Sequence, residues 1–173
     1  MPVRTGLLGL GSNVGDRRAE LQRAVDALPV AGIRARASSS VYDTDPVGEV
    51  PGQPSFLNAC LSIETSLEPL DLLAAVKGIE RALGREPAGV RHGPRSIDID
   101  VLLLGDLVLE CPSMTLPHEQ LLTRRFALIP ALELDFELRT PAGERLADAL
   151  AGLPLDEGVR LAGPPLLVSA AAG

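Results

Sequence analysis

The chain has 173 residues, 46% apolar and 23% charged, a globular balance that excludes a disordered polymer. Its formal net charge of −7 argues against a nucleic-acid-binding surface. No apolar run approaches the roughly 20 residues needed to cross a bilayer, and the start MPVRTGLLGLGSNVGD lacks the pattern of a secretory signal. Neither a nucleic-acid nor a membrane partner is therefore expected. Cys60 and Cys111, the two cysteines, form no disulfide framework or CxxC site, so reduced thiols in a cytoplasmic protein are the expectation.

The stretch TGLLGLGS (5–12) predicts a buried strand ending in glycines. DRRAELQRAVDAL (16–28) has helical apolar spacing, with Asp16 as its N-cap. IRARASSSVY (33–42) alternates and predicts a strand, and DTDPVGEVPGQP (43–54) predicts a loop long enough to bind something. In SFLNACLSIETS (55–66), Leu57, Ala59, Leu61 and Ile63 share one strand face; Phe56, Asn58, Cys60 and Ser62 share the other. EPLDLLAAVKGIERALG (68–84) predicts a helix between Pro69 and Gly84.

A polar loop, REPAGVRHGPR (85–95), then leads into IDIDVLLLGD. There Ile97, Ile99, Val101 and Leu103 are expected on one face, and Asp98, Asp100, Leu102 and Leu104 on the other. LVLE (107–110) is a candidate hairpin partner for this strand. RRFALIPALELD (124–135) predicts a short helix, disturbed or bounded by Pro130, and from Leu150 the Gly-, Pro- and Ala-rich chain predicts a loosely attached tail. The order β-α-β-β-α-β predicts a ferredoxin-like α+β sandwich with an added C-terminal helix and strand region. Two helices should cover one sheet face and leave Phe56, Asn58, Asp98 and Asp100 on the open side.

Two carboxylates two residues apart on a strand lie about 6.5 Å apart along the backbone and converge on one side. Oxygen ligands in that arrangement suit magnesium, which takes its remaining ligands from water and phosphate. A solvated strand face paired to arginines is the plainer alternative. Arg85, Arg91 and Arg95 crowd the preceding loop, and Arg offers planar paired donors to phosphate. His118, close to Arg124, could donate to a phosphate or move a proton, although a lone histidine is more often structural. Phe56 and Phe126 could stack on a flat heteroaromatic ligand whose polar edge Asn58 reads, or simply pack in the core. GLGSNVGD (9–16) lacks the Gly-Lys-Ser/Thr end of a phosphate loop, and Val14 stands where a dinucleotide fingerprint needs glycine. Close backbone packing around Gly9 and Gly11 is the better account.

Taken in order, GLGSNVGD, VYDTDPVG, FLNACLSIETSL, IERALGR, GPRSIDIDVLLLG, LPHEQLLTRRFAL and TPAGERLADAL resemble the 6-hydroxymethyl-7,8-dihydropterin pyrophosphokinase family. The likeness runs over roughly 6–150; it implies a pyrophosphokinase domain at 1–150 and leaves 151–173 as the tail. It implies transfer of pyrophosphate from ATP to the pterin hydroxymethyl group in folate biosynthesis, giving AMP. It implies two Mg2+ ions on Asp98 and Asp100, with Arg85, Arg91 and Arg95 in a mobile loop over the phosphates. His118 and Arg124 match a phosphate-binding pair; Glu80, Val101 and Thr115 match positions around adenosine. Thr44, Val47, Gly48, Phe56, Asn58 and Phe126 match the pterin pocket. His92 departs from the aromatic usual before Gly-Pro-Arg, and Phe56 replaces a frequent Tyr. The expected partners are ATP and the pterin alone, on a monomer. Two other classes compete: a polymerase-β-like nucleotidyltransferase, disfavoured by the distance from Ser12 to Asp98, and a non-catalytic ferredoxin-like binding module.

Overall fold

The computed structural model describes residues 2–45, 54–84, 97–155 and 158–169. Strand β1 (Arg4–Ser12) is followed by helix α1 (Arg17–Ala27), whose first turn is capped by Asp16 accepting from the Ala19 amide at 3.1 Å. Gly15, at φ 67°, makes the left-handed turn between them that a side chain would resist. Next come β2 (Ile33–Ser38), β3 (Val41–Thr44) and β4 (Phe56–Thr65). Helix α2 (Pro69–Leu83) precedes β5 (Asp98–Leu104). The chain continues through β6 (Leu109–Cys111), β7 (Met114–Leu116), α3 (Arg125–Leu134), α4 (Leu146–Ala151) and β8 (Val159–Gly163).

The main sheet is antiparallel in the order β5-β1-β4-β3-β8, with β2 also paired to β4. This is the expected α+β sandwich, with its second strand broken in two. Ser39 makes the break: its amide donates to the Cys60 carbonyl and its Oγ accepts from the Cys60 amide, both at 2.9 Å. A side-chain hydroxyl thus stands in for a backbone group, and the pairing resumes at Tyr42↔Asn58.

Leu21, Ala24 and Val25 of α1 and Leu72, Val76 and Ile79 of α2 pack on Leu8, Leu10, Ile63 and Ile99 across one sheet face. The opposite face, expected to be left for ligands, is half covered. Leu128, Ala131 and Leu132 of α3 and Leu146 of α4 cover the end bearing Leu7, Cys60, Leu102 and Leu103. The helix at 124–135 forms as expected, with Pro130 inside it rather than at an end.

Strict alternation fails in β5. Leu7 pairs with Leu103 and Leu8 with Val101, so Leu102 is an extra residue on β5. This bulge turns Leu102 and Leu103 both toward α3, and Leu104 returns to the α1/α2 side. The LVLE segment does not pair with β5: Leu109↔Leu116 and Cys111↔Met114 join β6 to β7 in a separate hairpin. The described part of the C-terminal segment is not loose. β8 pairs with β3, Leu166 is buried in the α1/α2 core, and Arg18 and Gln22 of α1 bond backbone atoms at 164, 165 and 167. Its Gly, Pro and Ala content hid a strand whose hydrogen bonds depend on β3 already being in place. No helix among the described residues is long and apolar enough to cross a membrane.

Candidate active site

Where α3 and α4 stop, the sheet face becomes a cleft of about 260 Å³. Its floor is β1, which lies between β4 and β5. Gly9 pairs with Cys60 and Asp100, and Gly11 with Asn58 and Asp98, so glycine separates the acidic strand from the ring-bearing strand. A Cβ at Gly11 would stand 3.3 Å from Asn58 Oδ1 and 3.7 Å from the Phe56 ring. The glycines keep this space open, a role that motif matching to nucleotide loops did not suggest.

Asp98 and Asp100 project into the cleft from β5, Phe56 and Asn58 from β4, and Arg124 and Phe126 from the start of α3. The sequence expectation that Phe56, Asn58, Asp98 and Asp100 share one side therefore holds. Thr44 joins them: Asn58 Nδ2 donates to Thr44 Oγ1 at 3.3 Å, and both residues are buried. That bond fixes the carboxamide's orientation at the cleft. The Arg124 guanidinium lies 5.2 Å from the Phe126 ring centre, so the cation and the ring hold each other in place. Asp45 also lines the cleft and was missed, since an aspartate before proline reads only as a turn residue.

Helix α2 braces the aspartate strand from behind. Glu80 is 8% exposed; its Oε2 accepts from the Ile99 amide at 3.1 Å and its Oε1 lies 2.8 Å from Lys77 Nζ. Ile99 sits between Asp98 and Asp100, so Glu80 sets the backbone that aims both. Glu80, Val101 and Thr115 are not brought into the cleft. The Val101 side chain is buried in the α1/α2 core, which leaves only its backbone for a ligand, and Thr115 pairs with Glu110 across the β6/β7 hairpin.

His118 is tied to the end of β5 by its amide, which donates to the Leu102 carbonyl at 2.9 Å. Its Nδ1 accepts from the Gln120 amide at 3.1 Å, so in the neutral ring the proton sits on Nε2 as a donor. Arg85, Arg91, Arg95, Val47 and Gly48 lie outside the described residues. Cys60 is buried beneath the cleft, its thiol 3.6 Å from the Ala127 carbonyl; burial raises its pKa and Glu133 adds to the effect, which keeps the thiol protonated. It is no nucleophile.

Among the described lining residues, three carboxylates (Asp45, Asp98, Asp100) face one guanidinium, Arg124. No group of three His, Cys, Asp or Glu side chains among the described residues converges as a self-sufficient metal cage. An all-oxygen pair fits a hard divalent cation that completes its shell with water and phosphate.

The fold is shared with a Plasmodium falciparum HPPK-DHPS crystal structure at TM-score 0.68 and 15% identity, covering 87% of this chain and 45% of that one. A structure described as HPPK-DHPS in complex with substrates matches at TM-score 0.68 and 12% identity, over 87% of this chain and 43% of that chain. These two likenesses define the fold class, an α+β sandwich with an antiparallel sheet.

Residues 7–136 match the family model described as 7,8-dihydro-6-hydroxymethylpterin-pyrophosphokinase (HPPK). A Pseudomonas aeruginosa protein named 2-amino-4-hydroxy-6-hydroxymethyldihydropteridine pyrophosphokinase is 39% identical over 90% of this chain and 96% of its own length. A Methylorubrum extorquens protein of the same name is 44% identical over 84% of this chain and 91% of its own. The chain belongs to the HPPK family and is a pyrophosphokinase.

Proposed function

We propose that the enzyme moves the β,γ-pyrophosphoryl unit of ATP to the hydroxymethyl oxygen of 6-hydroxymethyl-7,8-dihydropterin. The new bond joins that oxygen to the β-phosphorus; the bond from the β-phosphorus to the α,β-bridging oxygen breaks. AMP leaves, and the hydroxyl proton is released. The observation that carries this reading is the meeting, in one cleft, of an aspartate pair with two phenylalanine rings and a fixed carboxamide. The rings suit the flat faces of a pterin, and Asn58 suits its donor and acceptor edge.

Asp98 and Asp100 would hold two Mg2+ ions, which when bound neutralise triphosphate charge and polarise the reacting oxygens. The chain's own groups do the rest by position and charge. Arg124 and the His118 Nε2–H donate to phosphate oxygens, with Arg85, Arg91 and Arg95 adding positive charge from their segment. Thr44, Val47 and Gly48 are assigned to the pterin side. The neighbourhood of Glu80, Val101 and Thr115 is assigned to adenosine, which leaves the cleft to the pterin and the phosphates. No covalent enzyme intermediate is assigned: Cys60, the thiol at the cleft, is buried with its sulfur on the Ala127 carbonyl.

Product analysis with ATP, Mg2+ and the pterin, each omitted in turn, tests the reading. AMP formed only when all three are present is the expected result. ADP would make the protein an ordinary kinase. Binding of both ligands without any product would make it a binding module.

A further inference from the structure

The C-terminal strand meets the cleft at one wall, and two arginines carry the connection. β8 pairs with β3 along its length, Asp43↔Arg160 and Thr44↔Val159 among the pairs, and the ladder continues where the Asp45 amide donates to the Gly158 carbonyl at 3.0 Å. Without β8, β3 would be a four-residue edge strand held only by three pairs with β4. The Arg160 guanidinium reaches past the strand end, 3.0 Å from Asp45 Oδ1 and 3.7 Å from Asp43 Oδ1. From the other side Arg17, the first residue of α1, donates to both the carbonyl and Oγ of Ser55 at 3.0 Å and lies 3.9 Å from Asp43 Oδ2. One carboxylate, Asp43, is thereby shared by two arginines that also grip Asp45 and Ser55. Their chain neighbours Thr44 and Phe56, with Asp45 itself, form one wall of the cleft.

We propose that Arg160, with β8 behind it and Arg17 opposite, is a positioning residue that sets the Thr44–Asp45–Phe56 wall and so selects for the flat substrate without touching it. The naming of that substrate as the pterin rests on the pyrophosphokinase chemistry proposed above. Strand order gives the effect its selectivity. β3 and β5 are separated by β4 and β1, three strand spacings or about 14 Å, so the wall can shift while Asp98 and Asp100 stay in place. Arg160 and Asp45 are each more than half exposed, at 55% and 57% of the side chain. Ion pairs that wet contribute little to global stability, so a change in substrate affinity can be separated from unfolding.

The test uses the full chain with Arg160→Ala and Arg160→Lys. Initial rates are measured against each substrate, and hydrogen exchange is followed at the Asp45 amide in the free enzyme. The expected result for Arg160→Ala is a rise of about three- to tenfold in the pterin KM. kcat and the ATP KM should stay within about twofold and Tm should barely move, while Asp45 exchange accelerates and lysine restores most of the affinity. An unchanged pterin KM overturns the proposal, as does a parallel rise in both KM values with a fall in Tm. A wild-type enzyme that forms no AMP overturns the pyrophosphokinase chemistry instead. In that case the clamp is decided by the Asp45 amide, and unaltered exchange in Arg160→Ala overturns it.

Discussion

One sheet face carries two neighbouring regions built on the same three strands. At one end Leu7, Cys60 and Leu103 lie under α3 and α4; a few residues along β1, β4 and β5, Gly9, Gly11, Asn58, Asp98 and Asp100 line a cleft. The covered end gains by burying apolar surface. The open end gives that up, placing carboxylates and bare backbone where leucines would have continued the core. The candidate active site is therefore the part of this face where packing was not completed.

That contrast is sharpest in a pair of substitutions. Asp100→Ala should lower kcat by about 10³-fold or more, since it removes a charge aimed at the reacting groups, while a denaturant titration finds stability almost unchanged. Leu128→Ala at the covered end, where Leu128 is fully buried, should do the reverse. It should cost about 3–5 kcal/mol of stability and leave the folded fraction with normal specific activity. Equal loss of activity in both variants would mean that the two ends form one unit.

Glu80→Ala should blur the division, because it strands the Ile99 amide and Lys77 behind the two aspartates. A stability loss of about 2–3 kcal/mol is expected from the unsatisfied donor, with a lower kcat measured on protein that remains folded. Gly11→Ala places a methyl group 3.3 Å from Asn58 Oδ1 on the cleft floor. The pterin KM should rise about tenfold, or about 1.4 kcal/mol of binding, with the ATP KM steady.

The smallest effect lies where β3 meets α3, through Tyr42 and Ser40 donating to the Glu133 carboxylate. Tyr42→Phe should cost about 1 kcal/mol. Burial first, then the hydrogen bond and charge of Glu133, raise the Tyr42 pKa to about 12 from an ordinary 10.0. The folded state thus keeps a proton that the unfolded chain releases. Stability from this contact is complete below pH 10 and is lost as pH climbs through 12. Burial alone would raise the Glu133 carboxyl, but the bonds from Tyr42 and Ser40 outweigh it and hold it below 4.5. Its contribution is present above that pH and fades as pH falls through the lowered value. A Tyr42→Phe melting profile as steep above pH 10 as the wild type would remove this assignment.

Alternation alone was enough to put Phe56 with Asn58 and Asp98 with Asp100, because strand side chains change face at every residue and the hydrogen-bond ladder enforces it. The same rule misplaced Leu103 and Leu104, since the extra residue at Leu102 arises only when β5 is laid against β1. The separate β6/β7 hairpin escaped it too, for strand propensity does not name a partner.

Local chemistry in the chain thus settled the order of the central β-α-β-β-α-β elements, the α+β class and the type of side chain offered to a ligand: periodicity, caps and turn residues act over a few neighbours. Long-range pairing decided the rest. It made Gly9 and Gly11 a floor, laid α3 and α4 over half a face, and brought Arg160 beside Asp45 across 115 residues of chain. Those contacts form between segments whose sequences carry no mark of one another, so only the folded sheet could bring them together.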